Sequence, residues 1–366
     1  MRIELEKRVE DLPKWAPALI SVGAVVLAFI VGGIIFKIIG GEPLRVFSFF
    51  IRNTFGSWPA FSDTLVKATP LIFTGLACTV AFKMKMWNIG AEGQLFMGAW
   101  FASFVVLFPI TGPETPRWIV IGLMLIFGMI GGAIYGFIPG LLKARYNVNE
   151  IITTLMLNYV AFEWVNYWIF DQWSDAGFQM SPAFERNAWL PRLTDYARQF
   201  SIFSGITLHL GVVFALIAVA VIWWILTKSQ WGFEVKMIGD NPDAAKYAGI
   251  NIQRNIILVL MLSGALAGLA GTIEISGVVH RLQQNISPGY GFTGIIVAWL
   301  AKLNPAAVIL VSILFGALII ASREVQPAGI SSMLQGLILF FIISSEVLMR
   351  YKVSVVRNNS FATGAG

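Results

Sequence analysis

The sequence has little charge and few of the residues that build catalytic or metal centres. Only 13% of its 366 residues are charged, whereas soluble domains carry about 25%. The single cysteine, Cys78, cannot form a disulfide within the chain. The two histidines, His209 and His280, are far apart and form no metal-ligand spacing. These shortages argue against a soluble domain, a disulfide-stapled fold and a zinc enzyme.

Nucleotide-binding and hydrolytic motifs are also missing. The chain contains no Gly-x-x-x-x-Gly-Lys-Ser/Thr segment, the loop that cradles nucleotide phosphates. It lacks zinc motifs, paired aspartates within the apolar runs and a Gly-x-Ser-x-Gly turn as well. We therefore predict that the chain is not an enzyme and holds no cofactor or metal of its own.

Long apolar runs dominate what is present, since 57% of the residues are hydrophobic. A helix needs about 20 apolar residues to cross a bilayer, and in lipid the backbone must satisfy its own hydrogen bonds. We predict an all-α, polytopic integral membrane bundle of about ten transmembrane helices, of which the eighth is short enough to be a half-helix. The predicted spans are 16–39, 64–82, 89–109, 118–140, 150–170, 207–227, 255–278, 289–301, 305–321 and 329–348.

The basic residues indicate an orientation, because cytoplasmic loops carry an excess of Lys and Arg. With the N-terminus inside, 16 of the 26 lysines and arginines fall in inner segments and 8 in outer loops. We therefore divide the chain into a cytoplasmic segment 1–15, a transmembrane domain 16–350 and a cytoplasmic tail 351–366. Within the domain, the long loop 171–206 is external and the loop 228–254 is cytoplasmic.

Small residues recur at helical spacing in two spans. This spacing lets helices approach closely in lipid, where packing drives their association. We interpret both stripes as packing surfaces of a compact bundle. They consist of Gly128, Gly132, Gly136 and Gly140 in the fourth span, and of Gly264, Gly268 and Gly271 in the seventh.

Two polar, glycine-rich stretches interrupt the pattern at corresponding places. Residues 88–94 read Asn-Ile-Gly-Ala-Glu-Gly-Gln after the second span, and 285–291 read Asn-Ile-Ser-Pro-Gly-Tyr-Gly after the seventh. The two spans run in opposite directions, and matching interruptions of this kind indicate a transport site between inverted repeats. Because the shared identity is small, coincidence is the alternative.

Three acidic residues, Glu92, Glu163 and Glu274, fall within spans. A charge at mid-bilayer costs about 2.5–3.5 kcal/mol and usually faces a cavity or a partner. The fifth span places four polar residues within an arc of about 140°, which either lines a path or forms an interhelical hydrogen-bond network. The candidate substrate-binding residues are Asn88, Glu92, Asn158, Tyr159, Glu163, Asn166 and Asn285.

The inner loop contains the signals of a short helix. Asn241 suits the N-cap, Pro242 the first helical position, and Gly249 the residue past the end. We predict a helix of about two turns whose small residues dock on a partner; the alternative is a connecting helix that rests on its own bundle. The candidate partner-binding residues are Gly239, Asp240, Asn241, Pro242, Ala244, Ala245, Ala248 and Gly249.

This loop resembles the coupling segment of permeases of the branched-chain amino acid, simple sugar and nucleoside ABC importers. Residues 87–94, 149–159 and 291–295 with Asn304-Pro305 are similar to the nucleoside branch. The resemblance extends from about residue 43 to 348. It implies a fold like that of type II ABC importers and uptake of nucleosides across the bacterial cytoplasmic (inner) membrane.

The resemblance also implies partners. A separate ABC ATPase subunit would bind ATP and sit on the coupling helix. A periplasmic or lipoprotein substrate-binding protein would deliver cargo, and a second, different permease would complete a heterodimer in which this chain is like the longer subunit. No nucleic acid is expected. The alternatives are a simple-sugar (ribose-like) ABC permease and an ion-coupled secondary transporter in which Glu92 and Glu163 carry protons or cations.

Overall fold

A computed structural model describes residues 2–7, 13, 16–108, 110–322 and 329–356. The remaining parts of the predicted segment 1–15 and tail 351–366 lie outside the described residues. The chain divides into two compact units, one formed by 1–48 with 325–366 and the other by 49–324. We describe each unit by itself.

Helices make up most of the described chain. The elements are β1 (Arg2–Lys7), α1 (Ala16–Ile38), α2 (Pro43–Phe55), α3 (Trp58–Lys83), α4 (Ala91–Leu107), α5 (Arg117–Tyr146), α6 (Glu150–Phe170), α7 (Gly211–Lys228), α8 (Gln230–Asp240), α9 (Pro242–Tyr247), α10 (Ile252–Glu274), α11 (Tyr290–Leu300), α12 (Pro305–Ser322), α13 (Ile330–Arg350) and β2 (Tyr351–Val356). A π-helical turn, Ile275–Val279, continues α10, and three short 3-10 turns lie between α6 and α7.

Each of the ten predicted spans coincides with a helix to within about six residues at either end. Five of these helices are long and apolar enough to cross a membrane by length and composition, and four shorter apolar helices accompany them. The remaining span corresponds to α6, which has 21 residues. The all-α, polytopic prediction is confirmed.

The first unit contains a feature that the sequence did not predict. Strands β1 and β2 pair in antiparallel register, with Arg2 opposite Val356. Their pairing places the two ends of the described chain next to each other. In the same unit α1 packs on α13, where a Cβ at Gly32 would lie 2.5 Å from the Leu334 side chain.

The glycine stripes lie where α5 and α10 cross in the second unit. A Cβ at Gly132 would lie 2.1 Å from the Gly264 carbonyl oxygen, and one at Gly264 would lie 2.2 Å from that of Gly132. A Cβ at Gly98 of α4 would likewise lie 2.2 Å from the Gly268 Cα. Only glycine permits these backbone contacts. The prediction of close packing is confirmed for α5 and α10, whereas the approach of α4 was not predicted from the sequence.

Helix α3 lies at the centre of the second unit. Ser57 caps its start by accepting a hydrogen bond from the Ala60 amide. Nearly every residue from Ser62 to Phe82 is buried, because α7, α10, α11 and α12 all pack around it. This central position explains why α3 supplies partners to the polar groups described next.

Candidate functional site

The two polar, glycine-rich stretches meet inside the second unit. The Gly291 amide at the start of α11 donates a hydrogen bond to Glu92 Oε2 at 2.6 Å. A Cβ at Gly291 would lie only 2.2 Å from the Glu92 backbone nitrogen. The N-termini of α4 and α11 therefore abut, and we call this contact the junction. The two stretches are thus in direct contact, and their equivalence as inverted repeats stays a prediction.

The Glu92 carboxylate is suited to this position. It is only 2% exposed, and the Ser287 hydroxyl also donates a hydrogen bond to it. Helix N-termini carry partial positive charge, which a carboxylate stabilises. Glu92 lies in the first turn of its own helix and at the first turn of α11, so it holds two helix ends together.

Asn88 and Asn158 secure the chain that leads into the junction. Asn88 Nδ2 donates to Ser263 Oγ on α10 at 2.8 Å. Asn158 Oδ1 accepts from the Gly93 amide at 2.8 Å, and its Nδ2 donates to the Ile89 carbonyl at 3.0 Å. Three of the predicted substrate-binding residues thus belong to one buried network that ties α4 to α6 and α10.

The other predicted residues lie elsewhere. Tyr159 and Glu163 are exposed on an adjoining side of α6, and Asn166 is half-buried. Asn285 is exposed in the connection before α11. The structure therefore splits the predicted polar arc of α6, because Asn158 turns toward the junction while the rest faces away from it.

One exposed face runs the length of α6. It follows helical spacing and places a carboxylate between aromatic rings in the middle of a span. A charge there faces water or a partner, because lipid contact is costly. The exposed residues of this face are Met156, Tyr159, Glu163, Tyr167 and Phe170.

The short helix predicted in the inner loop is present as α9. Asn241 Oδ1 accepts from the Ala244 amide at 3.1 Å, and Pro242 occupies the first turn. Gly249 has a φ of +77°, a left-handed conformation that favours glycine. The predicted caps of this helix are confirmed.

Two of the predicted partner-binding residues need correction. Ala245 is fully buried, and a Cβ at Gly239 would lie 2.4 Å from the Lys83 carbonyl oxygen. Both residues pack α8 and α9 against the rest of the chain, so neither can contact a partner. The outer surface instead contains Tyr247, which is 95% exposed and which sequence reasoning missed. The other exposed candidates are Asp240, Asn241, Pro242, Ala244, Ala248 and Gly249.

Loop 171–206 is fastened to the end of α10. Arg192 Nη2 donates to the Gly277 carbonyl at 2.7 Å and contacts His280 Nε2 at 2.7 Å. Its charge complements the negative end of the helix. Trp189 stacks on His280 with ring centroids 3.8 Å apart. Burial and the Arg192 guanidinium lower the pKa of His280 to about 4, so a neutral ring accepts this hydrogen bond.

A buried ion pair joins α3 to α10. Lys67 Nζ lies 2.7 Å from Glu274 Oε1, and both side chains are almost fully buried. The Lys67 ammonium also lies 5.7 Å from the centre of the Tyr290 ring. The sequence marked Glu274 as an acid within a span, but no signal pointed to a partner 207 residues away.

The apolar helices of the described chain, two of which begin at a buried polar junction, indicate a multi-pass membrane protein. The sequence model of the family described as branched-chain amino acid transport system, permease component, matches residues 60–343. The chain belongs to this family, which confirms the resemblance seen in the sequence.

Similar proteins cover almost the whole chain. The chain is 34% identical to the guanosine ABC transporter permease protein NupP of Bacillus subtilis, over 90% of this chain and 94% of the relative. It is 34% identical to the nucleoside ABC transporter permease protein NupB of Lactococcus lactis, over 90% and 91%. It is 32% identical to the glucose ABC transporter permease protein TsgB13 of Haloferax volcanii, over 97% and 94%.

Proposed function

We propose that this chain is the permease subunit of an ATP-driven importer of nucleosides and that it forms part of the translocation path. Two of the three relatives described above are named as guanosine or nucleoside permeases, and each matches this chain over nine-tenths of its length. The chain supplies the path, and ATP is bound by a separate subunit.

The exposed face of α6 is the observation that carries the proposal. Glu163 offers carboxylate oxygens that accept hydrogen bonds from sugar hydroxyls. Tyr159 and Tyr167 flank it with exposed rings, 59% and 58% exposed, that can stack on a planar base. A second permease packed opposite this face would leave a polar path between the two subunits. In this arrangement the junction is the rigid support behind the path.

The partners follow from the remaining surfaces. The exposed side of α9 receives an ABC ATPase subunit on the cytoplasmic side, and loop 171–206 meets a substrate-binding protein outside. The second permease is a different chain, so the membrane domain is a heterodimer. Both termini are cytoplasmic, consistent with the distribution of basic residues.

A sugar is the second candidate cargo. The glucose permease TsgB13 is 32% identical to this chain, close to the values for the nucleoside permeases. A ribosyl group and a free sugar both present hydroxyls to Glu163. Only a nucleoside also presents a base to the tyrosines, so competition between the two classes of cargo separates the proposals.

Uptake by the reconstituted importer tests the path. Glu163→Gln should lower guanosine uptake by about tenfold or more, because a hydrogen bond to a charged group is worth roughly 1.5–3 kcal/mol. Glu114→Gln, which alters an acid exposed in the connection before α5, is the matched control and should transport normally.

Competition identifies the class of cargo. Excess unlabelled nucleoside should compete with guanosine for uptake, and glucose should not. Unchanged kinetics in Glu163→Gln and Tyr159→Ala would remove these residues from the path, and competition by glucose alone would favour the sugar proposal.

A further inference from the structure

A cavity of about 290 Å³ lies beside the last turn of α7 and has a strongly basic lining. Three lysines line it, each from a different element: Lys83 at the end of α3, Lys236 on α8 and Lys302 in the turn after α11. Among the residues that the structure describes, no acidic side chain lines the cavity, although Asp240 is near enough to interact with Lys83. The charge of the site therefore favours an anion.

Part of the cavity wall is apolar. It includes Trp223 and Leu226 of α7 and Pro305 of α12, and the Trp223 side chain is 44% exposed. Tryptophan is enriched where spans meet the headgroup region of a bilayer. The site thus combines positive charge with a hydrocarbon-compatible surface, which suits an amphipathic anion.

The backbone around the cavity includes a close approach of two helices and two residues with positive φ. A Cβ at Gly232 would lie 2.2 Å from the Ile225 carbonyl oxygen, so α8 folds tightly against α7. Lys302 and Leu303 have φ values of +51° and +55°. Non-glycine residues rarely adopt this conformation, and such strain clusters at ligand clamps and other functional sites. Both residues line the cavity, so the strained turn directs a lysine toward it.

We propose that this cavity binds the phosphate headgroup of an anionic phospholipid in the cytoplasmic leaflet, with its acyl chains against α7. Basic pockets between spans on the cytoplasmic side are suited to such headgroups. An acidic side chain of a partner protein would satisfy the lysines but would make no use of the apolar wall. The assignment to the cytoplasmic leaflet rests on the proposed orientation, whereas lipid binding itself does not.

Native mass spectrometry of the purified full-length chain tests this proposal. The protein is titrated with phosphatidylglycerol, with phosphatidylcholine and with inorganic phosphate. The test variant combines Lys83→Gln, Lys236→Gln and Lys302→Gln. The control removes three exposed bases that lie outside the cavity, through Arg145→Gln, Lys246→Gln and Arg254→Gln. A thermal unfolding curve for each variant identifies any loss of fold.

The wild type and the control should bind one phosphatidylglycerol with similar affinity. The test variant should bind it at least tenfold more weakly, since each lysine near an anionic lipid surface raises the affinity about fivefold.

Equal binding by a folded test variant would overturn the proposal, as would equal binding of phosphatidylcholine by the wild type. Inorganic phosphate that displaces the lipid would identify a free-phosphate site instead. None of these outcomes involves cargo or ATP, so the transport proposal is tested separately.

Discussion

At the scale of single residues, the contact between Glu92 and Gly291 explains why residue 291 is a glycine. The start of α11 can approach the start of α4 only if residue 291 has no side chain, because a Cβ there would lie 2.2 Å from a backbone nitrogen. The sequence identified Glu92 and the two stretches. It could not show that they touch, because nothing local encodes a contact across 199 residues.

Gly291→Ala should therefore destabilise the protein by about 1–3 kcal/mol, since the added methyl group overpacks a backbone contact. Gly122→Ala is the matched control, because a Cβ at Gly122 in α5 meets nothing within 4 Å. The control should be neutral or slightly stabilising, as alanine is the better helix former. Thermal unfolding in detergent measures both. If the two variants unfold at the same temperature, the junction is not tightly packed.

The ion pair between Lys67 and Glu274 gives a second prediction at this scale. Glu274→Gln leaves a buried ammonium without its counter-charge and should cost about 3–5 kcal/mol. The double change Lys67→Met with Glu274→Leu should recover most of that loss, because no charge stays buried. Glu42→Gln breaks an exposed pair with Arg45 and should change stability by less than about 1 kcal/mol. Additive losses in the double variant would show that the two groups do not interact.

At the scale of elements, the caps of α9 were predictable because capping is local chemistry. The places of Asn241, Pro242 and Gly249 at the ends of α9 follow from the side chain and backbone preferences of each residue. The face that α9 presents was not predictable, since a helix of six residues is too short for a clear periodic pattern. Burial of Ala245 depends on α8 and α10, which only the folded chain brings beside it. The stripes in α5 and α10 were easier to interpret, because four-residue spacing over several turns defines a face.

The proposed contact between α9 and the ATPase is tested at an exposed residue of the helix. Ala248→Trp adds bulk to the exposed surface of α9 and should prevent ATPase docking while the chain folds normally. Ala245→Trp should instead overpack the buried contact between α9 and the rest of the bundle. It should lower the free energy of unfolding by about 1–3 kcal/mol. Ile202→Trp, on the exposed part of loop 171–206, should affect neither property. Co-purification of the ATPase measures docking. Full recovery of ATPase with Ala248→Trp would contradict the proposed contact.

At the scale of the whole molecule, composition and apolar runs were enough to predict ten helices and their order. The division into two units and the pairing of β1 with β2 were not predictable, because each joins segments from opposite ends of the chain. Loop 171–206 contains no periodic pattern. Its attachment through Arg192 and Trp189 depends on the exposed end of α10.

The orientation of the molecule is tested by thiol labelling in a Cys78→Ala background. Ile202→Cys, at a side chain that is 77% exposed, should react with an impermeant reagent added outside spheroplasts. Tyr247→Cys, at a side chain that is 95% exposed, should react only in inverted vesicles. The reverse pattern would show that the termini lie outside. Basic residues predict the first result, because positive loops stay in the cytoplasm.

The central claim, that this chain is the permease of an ATP-driven nucleoside importer, is tested most directly by uptake into proteoliposomes. The vesicles contain this chain, its second permease and its ATPase, with the binding protein outside and ATP inside. Nucleoside should accumulate only with hydrolysable ATP, and collapsing the proton and sodium gradients should leave uptake unchanged. Uptake that continues without ATP or ATPase, and stops when an ion gradient is removed, would contradict the account and identify a secondary transporter in which Glu163 carries the coupling ion.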